Sequence, residues 1–273
     1  MFGGIYVQGN VDKIVLSATT LTGGDKGQVI TITQGSTTTT VTLDLTLKTT
    51  TIADSNGNSS GAMSGLPQNT SDGVTATEGC MVFVTGNISS DTSSHPSSTV
   101  TGLSGPTSGA AIQDNSAVTV TSGGTISITG SITYTSEPVS LTPADTPTGL
   151  TGGNVLGIYT SGGNIQFQPP SNVSTMEVDA SMATINGNSG SNYGLTATWN
   201  TIGTLNIVGG RVQNKALSGA SLGSRNIYYD QRFSGNFAPP WFPTTTLGTA
   251  TTYTATVQTP IPNRVTWVNK TSE

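Results

Sequence analysis

The stretch AVTVTSGGTISITGSITYTS, residues 117–136, has apolar side chains at every second position on both sides of a Gly-Gly pair. The alternating positions are Val118, Val120, Ile126, Ile128, Ile132 and Tyr134. Because successive side chains on a β-strand point to opposite faces, this period of two predicts short strands that each have one apolar face. The glycine pair predicts a bend between them.

The same pattern, a Gly or Asn turn followed by alternating apolar residues, occurs in further segments along the chain. They are 3–17, 27–35, 40–52, 79–89, 154–167, 175–187 and 203–214. One such unit cannot bury its own apolar face, but successive units stacked as rungs bury a continuous thin core. We therefore expect an all-β chain folded as a β-solenoid (β-helix) with irregular rungs and long protruding loops. A two-sheet β-sandwich is the alternative.

The composition agrees with many short strands and tight turns. Only 33% of the 273 residues are hydrophobic, but only 8% are charged, and disordered chains combine low hydrophobicity with high charge. The 35 glycines and 13 prolines supply turns, and Thr-rich, β-branched segments favour strands. Cys80 is the single cysteine, which excludes an intrachain disulfide and a multi-cysteine metal site.

The pattern also predicts how the chain is organised. We expect residues 1–215 to form the rungs, with loops at about 54–78 and 90–116, and residues 216–273 to form a terminal cap and returning strands of the same domain. No run approaches the roughly 20 apolar residues of a membrane-spanning helix. The start of the chain has neither a basic nor an apolar leader region, so we expect an excised extracellular portion of a longer protein.

Positive charge and aromatic residues are concentrated near the C-terminal end. Residues 1–210 carry three basic and twelve acidic residues, whereas 211–273 carry six basic and two acidic ones. Six of the sixteen aromatic residues lie in YYDQRFSGNFAPPWFP, 228–243. Cations and flat rings together are typical of nucleic-acid surfaces. The candidate DNA contacts are Arg211, Lys215, Arg225, Arg232, Tyr228 and Trp241. In the alternative interpretation, the rings close the end of the core and Arg232 pairs with Asp230.

Candidate catalytic and metal-binding residues are few. His95, the only histidine, lies in a polar loop without a nucleophile motif. Glu177 and Asp179 lie two apart on a predicted strand and so share one face, as a catalytic carboxylate pair or a cation site requires. The interpretation that we favour is an ordinary polar pair. We therefore predict no catalytic residue, no metal, no cofactor and no enzyme activity.

The order of the later segments resembles the surface domain of PilX-like type IV pilus-assembly proteins, a group that includes ComZ-like competence minor pilins. The likeness covers about the last 120 residues and is weaker in 3–17. It is carried by Asn154, Leu156, Gly157, Asp179, Ala180, Met182, Ala183, Gly209, Gly210, Tyr229–Arg232 and Pro239–Pro243. The N-terminal helix and processing site of a pilin have no counterpart here.

The resemblance implies a non-enzymatic β-solenoid domain displayed at the cell surface or on a pilus. The expected partners are other pilin subunits and double-stranded DNA, in pilus assembly or DNA uptake. An adhesin or glycan-binding surface module is the alternative, and a polysaccharide-active enzyme is a third possibility. The net charge of −5 means that any DNA contact must be local and sensitive to salt.

Overall fold

The computed structural model describes residues 4–69, 77–89, 101–138, 153–184, 195–197, 200–213, 222–235, 237–243 and 266–267. These residues form strands and one short 3-10 helix, Gln231–Gly235, so the all-β expectation is confirmed. The strands are β1 (Ile5–Val7), β2 (Lys13–Thr20), β3 (Lys26–Gln34), β4 (Thr37–Asp44), β5 (Thr49–Asp54), β6 (Met63–Ser64), β7 (Gln68–Asn69), β8 (Thr77–Glu78), β9 (Cys80–Val84), β10 (Gly102–Ser104), β11 (Ala117–Ser122), β12 (Ile126–Ile128), β13 (Val155–Thr160), β14 (Ile165–Phe167), β15 (Val173–Asp179), β16 (Ser181–Thr184), β17 (Leu195–Ala197), β18 (Ile202–Val208), β19 (Arg211–Gln213), β20 (Leu222–Tyr228) and β21 (Thr266–Trp267).

Two large sheets contain most of the strands. The seven-stranded sheet has the order β19-β16-β13-β11-β9-β1-β21, and only β21 runs antiparallel to its neighbour. The nine-stranded sheet has the order β17-β14-β12-β10-β2-β3-β4-β5-β6, parallel from β17 to β2. The chain alternates between the two sheets, so that β11 leads to β12 and β13 leads to β14.

A third parallel ladder, β15-β18-β20, makes up a smaller sheet. Two isolated parallel bridges extend this side of the molecule to earlier parts of the chain, joining Ile132 to Val178 and Ile112 to Tyr134. A separate antiparallel pair joins β7 to β8. Each of the three parallel ladders therefore collects one strand from each of several successive passes of the chain.

The core consists of apolar side chains aligned from strand to strand. All six alternating apolar residues of 117–136 are buried, as the pattern predicts. Register places Val120 between Val82 and Ile158, and Ile158 next to Met182. Because parallel strands in register put like-facing side chains one above another, these residues form a continuous apolar column. This alignment is how a chain with few hydrophobic residues builds a core.

The corner between the two large sheets is stabilised by a ladder of polar side chains. The Asn87 amide donates to Asn10 Oδ1 at 2.9 Å, and the Thr125 amide donates to Asn87 Oδ1 at 2.8 Å. The Asn164 amide then donates to Thr125 Oγ1 at 3.4 Å. Four successive passes are linked in this way, so backbone donors that the turns leave unpaired are satisfied.

The first part of the chain departs from the expected rung pattern. Segments 27–35 and 40–52 form β3, β4 and β5, which continue the nine-stranded sheet from β2 as an antiparallel meander. Only Gly35 and Ser36 separate β3 from β4, and Gly35 has a φ of +60°. A two-residue connection permits only an antiparallel hairpin, because parallel neighbours need a long crossover.

Two stretches predicted as loops contain strands. Short strands β6, β7 and β8 lie inside 54–78, and the buried strand β10 lies inside 90–116, where Leu103 pairs in register with Ile14 and Ile128. A single apolar residue among Gly and Ser carries no visible periodicity, so the sequence could not reveal β10. Within the part of the chain that is described, no helix is long and apolar enough to cross a membrane.

Candidate functional site

The structure places two of the predicted DNA-contact arginines at one end of the parallel ladders. Arg211 begins β19 and Arg225 lies in β20, and each strand is the edge of its sheet among the described residues. Register aligns Arg211 with Met182 and Arg225 with Leu205, both of which are buried core residues. The two arginines therefore continue apolar columns at the point where the columns end. We call the surface formed by Arg211 and Arg225 the arginine end.

The arginine end concentrates positive charge. Arg211 is exposed and Arg225 is partly buried, and desolvation together with the charge of Arg211 lowers the pKa of Arg225. Arg225 Nε is buried and has no hydrogen-bond partner among the described residues. The ion pairs found in the described ranges involve other cations, so neither guanidinium is neutralised by a carboxylate there. An anion bound at this end would relieve the repulsion. Lys215 lies outside the described residues.

Arg232 is not part of this surface. Arg232 is only 6% exposed, and its Nε and Nη2 donate hydrogen bonds to the carboxylate of Asp230 at 3.0 and 2.6 Å. Nη1 donates to Asn154 Oδ1 at 3.4 Å, and the guanidinium carbon lies 4.7 Å from the ring centroid of Phe237. The alternative interpretation, in which Arg232 pairs with Asp230, matches these contacts. A buried, paired guanidinium is not presented to a phosphate.

The two predicted aromatic contacts, Tyr228 and Trp241, are both half-buried. Among the aromatic residues whose exposure is described, their neighbour Tyr229 is the most open to solvent, at 56%. Its ring meets Phe233 edge-on at 6.3 Å, and Phe233 stacks on Phe237 at 6.3 Å. The sequence could not separate Tyr228 from Tyr229, because adjacent residues of one type differ only in the face to which they point.

The PPWFP segment packs on the outer face of the seven-stranded sheet. A Cβ at Gly157 in β13 would lie 2.6 Å from Phe242 Cδ2 and 2.8 Å from Pro239 Cβ, so glycine is needed for this close approach. The Thr119 hydroxyl of β11 donates to the Pro240 carbonyl oxygen. Both strands lie inside the sheet, away from its β19 edge. This segment therefore covers a face of the seven-stranded sheet, and most of the predicted cap, 216–273, lies outside the described residues.

Glu177 and Asp179 share one face of β15, as their spacing predicts, and a third carboxyl group joins them. Glu177 is partly buried, Asp179 is fully buried, and the residues on either side of Glu177, Met176 and Val178, face the core. One carboxylate oxygen each from Glu137, Glu177 and Asp179 lies within 4.8 Å of the others. We call these three residues the acidic cluster.

Asp179 is the deepest member of the acidic cluster. Its Oδ2 accepts a hydrogen bond from the Tyr134 amide at 2.8 Å, whereas its buried Oδ1 has no partner. Burial, reinforced by the negative charge of Glu137, raises the pKa of Asp179 to about 9. Desolvation also raises the pKa values of Glu137 and Glu177.

The raised pKa of Asp179 predicts a stability that falls as pH rises. In a chelating buffer, the folded state retains a proton that the unfolded carboxyl, with its ordinary value of 3.8, loses. Stability should therefore decrease between about pH 4 and pH 9. The other charged groups near Asp179 are Glu137, Glu177 and the Asp230–Arg232 pair.

Urea unfolding at several pH values, compared with an Asp179→Asn variant, measures this slope. The variant should have the shallower dependence on pH. Equal slopes for the two proteins would contradict a raised pKa at Asp179.

Glu137 is the member of the acidic cluster that sequence reasoning missed. It lies 40 residues before Glu177, and the bridge between Ile132 and Val178 brings its segment beside β15. No local spacing signals such a contact, because partners in parallel ladders are separated by a whole pass of the chain. His95 lies outside the described residues.

Comparisons with known proteins give no further guide to function. No protein-family model matches the chain, and neither a curated protein nor a solved structure matches it.

Proposed function

We propose that this chain is a non-enzymatic β-solenoid domain of a PilX-like, type IV pilus-associated minor pilin, displayed outside the cell and binding double-stranded DNA. The observation that carries the DNA-binding part is the arginine end. Two guanidiniums lie on edge strands with no carboxylate partner among the described residues. Other pilin subunits would be its partners in pilus assembly.

The ladders support the solenoid part of the proposal. Strands from successive passes recur in the same order in each sheet, and the pairs that make up the three ladders are parallel and in register, whereas the β2–β6 meander and β21 add antiparallel strands. The corner residues Asn10, Asn87, Thr125 and Asn164 recur once in each pass. This recurrence is typical of stacked rungs and not of a sandwich, whose sheets are antiparallel.

The position of the arginine end supports contact with a polyanion. At the end of the stack, apolar side chains would remain open to water, and exposed Val212 and Ile227 are examples. Arginine stems can cover apolar surface while their charged groups reach solvent. Guanidinium groups at such a position are available to backbone phosphates, which need no particular base sequence.

Fluorescence anisotropy with labelled double-stranded DNA across a salt series tests the proposal. A variant with Arg211, Lys215 and Arg225 changed to Ala should bind at least about tenfold more weakly, because it loses up to three phosphate contacts. The slope of log affinity against log salt should become shallower by about 0.9 for each contact that is lost.

The matched control removes two lysines far from the arginine end. Lys26 and Lys48 each pair with a surface carboxylate, at 3.2 and 2.6 Å. A Lys26→Ala, Lys48→Ala variant should retain most of the affinity for DNA. Absence of binding at low salt, or an equal loss in both variants, would contradict DNA binding at the arginine end.

A glycan-binding surface module is the second candidate, and the exposed ring of Tyr229 favours it. Tyr229 is supported by the Phe233 and Phe237 rings, which makes a firm platform on which a sugar could stack. Binding of this kind should be insensitive to salt and should be lost on Tyr229→Ala. A glycan screen with those two properties would favour an adhesin over a DNA-binding domain.

A further inference from the structure

The acidic cluster contains an unsatisfied buried oxygen. Asp179 is 0% exposed, and its Oδ1 lies in the interior with no hydrogen-bond partner. A buried carboxylate oxygen without a partner carries a desolvation penalty that native structures normally avoid. The carboxyl groups of Glu137 and Glu177 lie beside it, and ionised carboxylates accept but do not donate, so only a proton shared between Asp179 and Glu137, or a bound cation, can offset the charge there. A bound cation would satisfy all three.

We propose that Glu137, Glu177 and Asp179 form a calcium-binding site. This inference does not depend on the proposed function, because the acidic cluster shares no residue with the arginine end. The donors are oxygens without nitrogen or sulfur, which is the set that hard divalent cations select. Asp179 lies at the bottom of the site, Glu177 is partly buried above it and Glu137 is exposed at the rim, so an ion can reach the site from solvent.

The spacing of the cluster accommodates Ca²⁺. The three oxygens lie within 4.8 Å of one another, and ligands at about 2.4 Å from one Ca²⁺ are at most about 4.8 Å apart. Ca²⁺ accepts irregular carboxylate geometry, whereas Mg²⁺ requires near-ideal octahedral geometry at about 2.1 Å, so a site made of two strand residues and one residue of a separate segment suits Ca²⁺ better. Three carboxylates leave positions for water, as in many calcium sites.

The charges around the cluster leave it in need of a cation. Among the described residues, the guanidinium whose charge acts on Glu137 is that of Arg232, and its Nε and Nη2 are already bonded to Asp230. Three neighbouring carboxylates repel one another in a partly buried setting, and a divalent ion reverses this repulsion into attraction.

A bound ion would also join two parts of the chain. Glu177 and Asp179 lie on β15, which pairs with β18 on one side and bridges to Ile132 on the other. Glu137 lies at the end of the segment that follows Ile132 and Tyr134. Calcium would therefore fix this segment against β15, and Ca²⁺ should raise the stability of the folded chain.

Isothermal titration calorimetry and thermal unfolding, on protein first treated with a chelator, test this site. Wild type should bind one Ca²⁺, and a hundredfold excess over Kd should raise Tm by about 5 °C. Mg²⁺ at the same concentration should have a smaller effect. Glu137→Gln, a conservative change at the exposed rim, should weaken binding at least about tenfold, and Asp179→Asn should abolish it.

The control is Glu78→Gln, which removes an exposed carboxylate that pairs with Lys48 at 2.6 Å. This variant should bind Ca²⁺ as wild type does. No heat of binding to wild type, binding that survives Glu137→Gln unchanged, or an equal response to Mg²⁺ would each overturn the proposal. Because Glu137 is exposed, its variant should fold even if Asp179→Asn does not.

Discussion

Replacing Gly162 with alanine is expected to lower the free energy of unfolding by about 3 kcal/mol, because it inserts a methyl group between stacked passes of the chain. Gly162 lies at the corner after β13, directly against the backbone of Gly123 in the preceding pass. A Cβ there would overlap the Gly123 carbonyl oxygen, and a backbone atom cannot move aside as a flexible side chain can. The same constraint occurs one pass earlier, where a Cβ at Gly123 would overlap the Thr85 carbonyl.

Urea denaturation followed by circular dichroism measures this effect, and Gly210→Ala is the matched control. The nearest atom to a Cβ at Gly210 is Ser181 Oγ at 3.6 Å, an ordinary van der Waals distance, and its φ is not in the left-handed region. The control should change stability by less than about 0.5 kcal/mol. Similar stability for wild type and Gly162→Ala would contradict close stacking at the corner.

The sequence predicts the strands well where the alternation is strong. The stretch 117–136 predicts its apolar core positions, because a strand that faces the core with one side alternates. It does not predict that the polar residues on the other face, such as Thr119 and Ser127, are buried as well. The glycine corners are also visible in the sequence. What a single strand does not reveal is its partner, and β3 shows why. Its alternation equals that of β11, yet β3 pairs antiparallel with both neighbours and β11 pairs parallel.

The connections, more than the strands, decide this difference. The two-residue turn at Gly35 and Ser36 restricts β3 and β4 to a hairpin, whereas longer returns allow β11 and β13 to lie parallel. Turn length can be read from the sequence once the strand ends are known. Strand ends, however, are the feature that the sequence predicts least well, because the alternating Thr-rich strands pass into Thr- and Ser-rich turns without a change of composition.

The sequence predicted which types of residue form the candidate sites, but it did not predict which of those residues are buried. The charge count predicts a basic region and includes Arg232 in it, but the sequence does not show that Asp230 and Asn154 hold Arg232 inside the molecule. Arg211 and Arg225 are not neighbours in the sequence. They lie together at the end of the ladders only because β19 and β20 pair in register with β16 and β18. Burial depends on which pass lies alongside, which is tertiary information.

Arg232→Met is expected to lower the free energy of unfolding by about 3–5 kcal/mol, since it leaves the Asp230 carboxylate buried without its counterion. Asp230 is 1% exposed and accepts hydrogen bonds from the Arg232 backbone amide and guanidinium. Methionine keeps a long apolar side chain that can contact the Phe237 ring, so the lost charge, and not lost volume, should dominate the effect. Urea denaturation measures the difference.

The double variant Asp230→Asn, Arg232→Met separates the cost of an unpaired charge from the cost of altered packing. Asparagine keeps an oxygen for the amide of residue 232 at the 3.0 Å position but carries no charge. Because replacing both partners of a buried ion pair is often nearly neutral, the double variant should recover most of the stability that Arg232→Met loses. Arg211→Met, at the exposed arginine end, should change stability by less than about 0.5 kcal/mol. If the double variant were as unstable as Arg232→Met, the guanidinium would act mainly through its contacts with Asn154 and the aromatic rings, and the ion pair would not be the source of stability.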